Sequence, residues 1–435
     1  MNVEMARQGL REYWSSSVQE GSFSPAKLKS SMEPVFKAAG YRDLPGADVQ
    51  PRILIIRDDA AGDFVLFSAF LREARRIYRG AHITLLVSSR NYDLAGCCPY
   101  VDNVIKNNVL DELHGNNDIK ANIGGVVELS LQLMEYGFNL AFSPRLGIRS
   151  FGVLAAYMCG AAQVVAFTQD RINKTNNQMM HLGWDCLITV AVPVLQKVES
   201  DVDRNLFILE WMTRMPIVDR ELEVWFTERE RRNVLAMLEP LKKEGLNYFI
   251  AAVPAASLKM KQWPVERYIS VIKEIIEQNK NAGVVVMGGP DDVDVSLRLK
   301  SALGDRAIST AGSLSYRESA ALMNMMNVYI GNDTGLMHIA AACHVPILVI
   351  NCFAASLGRD PMAIPYRFMP YRVPGVTVQP SESRDGCDSR YAYGCEHNDE
   401  PHCILGVSTE AVLTGYSELL KRIAAKDIKQ MFLRS

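Results

Sequence analysis

Residues 52–78 read RILIIRDDAAGDFVLFSAFLREARRIY, and the order of residue types in this stretch decides the fold class. Arg52-Ile-Leu-Ile-Ile-Arg57 is a short β-branched run, the pattern of a strand buried on both faces in a parallel sheet. A polar turn follows, Asp58-Asp-Ala-Ala-Gly-Asp63. From Phe64 to Tyr78 the apolar positions 67, 70, 71, 74, 77 and 78 then repeat at helical spacing. A strand, a turn and an amphipathic helix in that order open a βαβ unit.

Outward from this stretch the alternation continues. His82-Ile-Thr-Leu-Leu-Val87 predicts a second strand, with more over 101–105, 138–142 and 163–167 and helices over 124–136 and 149–160. Residues 1–50 are polar and weakly periodic, a helical extension ahead of the first core strand. The rhythm breaks between 171 and 225, around an apolar helix at 204–213 and the extended Leu222-Glu-Val-Trp-Phe226. Thr227-Glu-Arg-Glu230 is a capping box that starts a second series. Its strands are expected at 247–253, 283–287, 306–309, 327–331 and 346–350, and its helices at 228–243, 264–279, 292–303, 315–326 and 334–343. A long irregular loop and a helix at 409–424 close the chain. The reading is an α/β protein with two doubly wound Rossmann-like domains facing across a cleft. Its expected parts are an extension (1–50), a first domain (51–200), a crossover (201–226), a second domain (227–408) and a terminal helix (409–435).

Composition narrows the function. The 435 residues carry 47 basic and 49 acidic side chains, a net charge of -2, so no global field recruits nucleic acid. No segment approaches the roughly 20 apolar residues of a membrane span. The N-terminus lacks a secretory apolar run, so a cytoplasmic protein is expected, with peripheral attachment to the inner membrane face left open. Nine cysteines, several inside apolar helical patterns, suit reduced thiols better than a disulfide framework.

In doubly wound sheets ligands bind beyond the carboxyl ends of the strands, and four motifs sit there. Gly331-Asn-Asp-Thr-Gly-Leu-Met-His338 follows the strand at 327–331. Asp333 is placed to cap the next helix, whose free N–H groups at Thr334, Gly335 and Leu336 suit a diphosphate. His338, one turn on, faces the same site, and an ordinary strand–turn–helix cap is the bland alternative. Pro254-Ala-Ala-Ser-Leu-Lys-Met-Lys-Gln-Trp-Pro264 supplies a hydroxyl, Ser257, and two lysines. Lys259 reads as solvated, whereas Lys261, pinned beside Trp263-Pro264, reads as a phosphate ligand. Met287-Gly-Gly-Pro-Asp-Asp292 would let a nucleobase or ribose approach the backbone at Met287 and Gly288, although it is also a plain turn. Ala61-Gly-Asp63 puts a carboxylate at a helix N-terminus, where Asp63 can serve as a general base or merely cap, while Gly62 permits close approach of a ligand.

Together RILIIRDDAAGDFVLFSAFLREARRIY, KQWPVERY, VVVMGGPDD and YIGNDTGLMHIAAACHVPILVI resemble the heptosyltransferases of glycosyltransferase family 9, over about 52–352 and again at 403–423. The resemblance implies a GT-B fold and inverting, metal-independent transfer from a nucleotide-sugar donor such as ADP-heptose to a glycolipid or glycan, with no cofactor. A protein acceptor is the alternative within the family, and a non-catalytic nucleotide-sugar-binding protein the alternative outside it. It implies Asp63 as catalytic base, Lys261 and Ser257 near donor phosphate, and Asp333, Thr334, Gly335, Leu336 and His338 in the donor block. Two departures stand out: the DDAAGD turn lacks the serine many members have, and Ala255 replaces a glycine.

Residues 387–403 hold three cysteines and two histidines. Cys387, Cys395 and Cys403 with His397 or His402 have the ligand types of a tetrahedral zinc site, but no C-x-x-C knuckle. Reduced cysteines without a metal are the expectation.

Overall fold

The computed structural model describes residues 1–19, 24–42, 50–109, 123–145, 151–168, 183–194, 200–357, 367–387 and 400–434. Two compact units divide the chain: 1–60, 69–196 and 202–220 form the first, and 61–68, 197–201 and 221–435 the second.

The first unit is built on a six-stranded parallel sheet. Its strands are β1 (Arg52–Arg57), β2 (His82–Ser88), β3 (Asn103–Asn107), β4 (Leu140–Ser143), β5 (Gln163–Phe167) and β6 (Val190–Val192), in spatial order β3-β2-β1-β4-β5-β6. Residues 53–56 of β1 are buried, as their unbroken apolar run requires, and Arg57 is buried in an ion pair with Asp59. The N-terminal extension is two helices, Val3–Gln19 and Pro25–Ala38, the second capped by Ser24, whose Oγ accepts from Lys27 N–H at 3.2 Å. Ala6, Leu10, Leu28, Met32 and Phe36 join the same core as Leu54 and the apolar helix Phe151–Met158, so the extension completes this unit's packing.

The second unit repeats the plan. Strands β7 (Tyr248–Val253), β8 (Ala282–Val286), β9 (Ala307–Ser309), β10 (Val328–Asn332), β11 (Ile347–Ile350) and β12 (Gly375–Val378) are parallel in the order β12-β11-β10-β7-β8-β9. Counted from β7 this is the strand order of the first sheet, with the reversal of direction between β7 and β10. Helix Val265–Gln278 buries Val265, Tyr268, Val271, Ile272, Ile275 and Ile276, one stripe at helical spacing, against this sheet. The capping box at 227–230 forms, with Thr227 N–H donating to Glu230 Oε2 at 2.8 Å.

Each strand expected from sequence is found within a few residues of its place, and the helix at 409–424 runs on to Arg434. The short strands β6 and β12 were not anticipated. Among the described residues no helix is long and apolar enough to cross a membrane.

Candidate functional site

The reversal point of the second sheet, between β7 and β10, is where an open α/β sheet leaves a crevice for ligand. The loop after β7 carries Lys261 and the turn after β10 carries Asp333 and Thr334. Lys261 Nζ donates to Asp333 Oδ2 at 2.7 Å, with both side chains largely buried. Burial pulls the Lys261 pKa down, but the Asp333 carboxylate outweighs it, and Asp63 adds to the same effect, so the net shift is upward. The ammonium is therefore charged at neutral pH.

This pairing corrects one expectation. Asp333 does not cap the following helix, Gly335–Ala342. Thr334 occupies the N-cap position and makes no side-chain cap bond. The reason is competition: an ammonium is a stronger partner for a carboxylate than a neutral amide. Among the described residues the N-cap side chain leaves this helix N-terminus uncapped, a positively polarised end beside a cation.

The short helix Ala61–Leu66 follows β1 in sequence but groups with the second unit, where it packs on Gly335–Ala342. Gly62 is what allows the approach. A Cβ there would come within 2.7 Å of His338 Cδ2 and 3.2 Å of Gly335 Cα. Asp63, in the first turn of its helix and half-buried, acts electrostatically on both Lys261 and His338. His338 is 4 % exposed, and its Nδ1 has no hydrogen-bond partner among the described residues. Burial lowers its pKa against the opposing carboxylates of Asp333, Asp63 and Asp201, so the ring is neutral at pH 7.

The structure thus brings together Gly62, Asp63, Lys261, Asp333, Thr334, Gly335 and His338. Leu336, half-buried, lies in the first turn of the same helix. Ser257 and Lys259 are exposed on the loop after β7. The segment after β8 looks like a turn: Gly289 N–H donates to Asp292 Oδ2 at 2.8 Å, and a Cβ on Gly288 would meet Asp292 Cβ at 2.8 Å. Met287 is buried, with its N–H bonded to Ala252 C=O at 2.9 Å.

Sequence reasoning gave no role to Asn332, Tyr268, Tyr329, Asp201 or Arg367. Arg367 donates to Asp201 Oδ1 from two nitrogens, at 2.7 and 2.9 Å, and stacks over Phe368, which packs edge-on to His338.

Away from this site, Cys387, His402 and Cys403 place one ligand atom each within 4.8 Å of one another. His402 Nε2 lies 3.1 Å from Asp385 Oδ2, the carboxylate–histidine pairing that orients metal-binding imidazoles. The donor set fits a borderline-soft ion such as zinc. The other residues proposed from sequence, Cys395 and His397, lie outside the described residues.

Two Rossmann-like units, each on a six-stranded parallel sheet of the same strand order, have the architecture of a GT-B fold. The family model of glycosyltransferase family 9 (heptosyltransferase) matches residues 190–356, which bears out the resemblance read from the motifs. Lipooligosaccharide heptosyltransferase 2 of Haemophilus influenzae is 29% identical over 94 residues, which are 21% of this chain and 27% of that protein. The matched stretch therefore spans only about a quarter of that curated relative's length. Among solved structures, a family 9 glycosyl transferase from Veillonella parvula superposes with a TM-score of 0.66 at 20% identity, covering 87% of this chain and 100% of its own. The ADP-heptose LPS heptosyltransferase II of E. coli follows at 0.60 and 18%, covering 85% and 99%. These likenesses extend the fold to nearly the whole chain.

Proposed function

We propose that the chain is an inverting, metal-independent glycosyltransferase that moves a heptose from ADP-heptose onto a lipopolysaccharide core or related glycan. The observation that carries this reading is the pairing of Lys261 with a helix N-terminus at the reversal point of the second sheet, with Asp63 in electrostatic range. A leaving diphosphate develops negative charge, and a fixed ammonium and aligned backbone N–H groups at Gly335 and Leu336 stabilise that charge in place of a divalent metal. Asp333 holds Lys261 until the diphosphate shares it. Asp63 takes the proton from the acceptor hydroxyl as it attacks the anomeric carbon from the face opposite the leaving group. The donor assignment is supported by the names of the relatives, two of which are heptosyltransferases and one of which is specified for ADP-heptose.

The Cys387, His402 and Cys403 cluster favours a second acceptor reading, because the family resemblance implies a cysteine-bound metal in members that modify proteins. Calorimetric titration of the purified chain with ADP-heptose, ADP-glucose, UDP-glucose and GDP-mannose in EDTA tests the donor reading. Tightest binding of ADP-heptose supports it; preference for a uridine or guanosine sugar, or binding only with added Mg²⁺, overturns it.

A further inference from the structure

Asn332 is the last residue of β10 and is fully buried. Its side chain uses both of its ends. Nδ2 donates to Pro254 C=O at 2.8 Å, in the loop that leaves β7. Oδ1 accepts from Tyr268 Oη at 2.9 Å and from Trp263 N–H at 3.4 Å. Its own C=O accepts from Tyr329 Oη at 2.7 Å, and that hydroxyl lies 3.4 Å from Thr334 Oγ1. Pro254 and Trp263 bracket the loop that carries Lys261, and Asn332 immediately precedes Asp333. Gly331 leaves the room this needs, since a Cβ there would lie 2.8 Å from both Tyr329 Oη and Val253.

We infer that Asn332, Tyr268 and Tyr329 form a clasp that positions the Lys261 ammonium against the helix N-terminus and so sets affinity for a nucleoside diphosphate. The inference deepens the proposed function and rests on Lys261 being a diphosphate ligand. These residues act through Lys261 rather than on the substrate. Two covalently distant segments, the loop after β7 and the turn after β10, must be held in fixed register for the ammonium and the backbone N–H groups to act on one anion. An amide suits this role because, from the end of β10, it donates to the start of the β7 loop at Pro254 and accepts from its end at Trp263 and from Tyr268, without adding charge beside Asp333. Burial raises the pKa of Tyr268 and of Tyr329, so both hydroxyls remain protonated donors at working pH.

A double-mutant cycle separates positioning from bulk stability. ADP is titrated into the wild type, Tyr268→Phe, Lys261→Ala and the double variant, and thermal unfolding is recorded for each. Loss of one neutral hydrogen bond corresponds to about two- to tenfold, the drop in ADP affinity expected for Tyr268→Phe. In the Lys261→Ala background the same substitution should change affinity no further, while lowering the unfolding midpoint as much as before. An unchanged affinity in Tyr268→Phe, or the same factor in both backgrounds, would reduce the clasp to core packing. Unaltered ADP binding in Lys261→Ala alone would instead remove the diphosphate reading, and the clasp with it. If Tyr268→Phe fails to fold, Tyr329→Phe, which removes the donor to the Asn332 carbonyl, takes its place in the cycle with the same two outcomes.

Discussion

Gly62 has no room for a side chain, and the cost of giving it one is concrete. In Gly62→Ala the new methyl meets the His338 ring and the Gly335 backbone, and only the ring can give way. Overpacking of this kind costs about 1–3 kcal/mol, so a lower denaturant midpoint together with weaker ADP binding is expected. Full retention of both would mean that the two helices separate freely. The lysines of the β7 loop make a sharper contrast. A charge-assisted contact to a diphosphate is worth about 1.5–3 kcal/mol, so Lys261→Ala should lose about ten- to a hundredfold in ADP affinity. Exposed Lys259→Ala should lose little, and equal losses would show a diffuse basic patch. Asp63→Asn should retain ADP binding and lose about 10²-fold or more in transfer, the usual scale for a general base; near-normal turnover would leave Asp63 a structural residue. His338 predicts a pH dependence of stability. Its folded pKa lies below the unfolded value, burial being the main cause. As pH falls through about 6.5 the unfolded chain takes up a proton that the folded ring refuses, so stability falls with acidification there. His338→Gln should flatten that slope in urea titrations between pH 7.5 and 5.5, and an unchanged slope would assign it to other groups.

At the scale of elements, strands buried on both faces were readable because their interiors are unbroken apolar runs, as in residues 53–56 of β1, in β7 and in β11. The edge strands β6 and β12 were not, because Val190–Val192 has three residues and Gly375–Val378 is mostly half-buried, too little for an apolar pattern. The same limit hid the clasp. Tyr268 falls on the apolar stripe of its helix and reads as core, and only the fold brings its hydroxyl to Asn332. Asp333 shows the converse. Its position matches a cap, and the partner that overrides this, Lys261, is 72 residues away in sequence. Cys387, Cys403 and His402 come together as their residue types suggested, although no C-x-x-C knuckle marked the site. This cluster and the donor site predict separate metal behaviour. Transfer should survive EDTA, because Lys261 and a helix N-terminus stand where a donor-bound Mg²⁺ would be needed. Activity lost in EDTA and restored specifically by Mg²⁺ or Mn²⁺ would contradict this, whereas restoration by Zn²⁺ would place the requirement at the cysteine cluster.

For the whole molecule, the two doubly wound units were legible from the alternation of buried runs and amphipathic helices, and the structure gives both sheets one strand order. What the sequence could not show is that residues 61–68 group with the second unit, so that Gly62 and Asp63 share a site with Lys261 and His338. That grouping is a property of packing, and no local pattern encodes it. On the proposed function, a single constellation would both bind the diphosphate and activate the acceptor. The most direct measurement is mass spectrometry of a heptose-deficient lipopolysaccharide core incubated with ADP-heptose, EDTA and the wild type, Lys261→Ala or Asp63→Asn. Addition of one heptosyl residue by the wild type, strongly reduced addition by both variants, and intact ADP binding in Asp63→Asn alone are expected. Heptose addition at wild-type rate by either variant, or none by the wild type while ADP-heptose is bound, would contradict the proposed function.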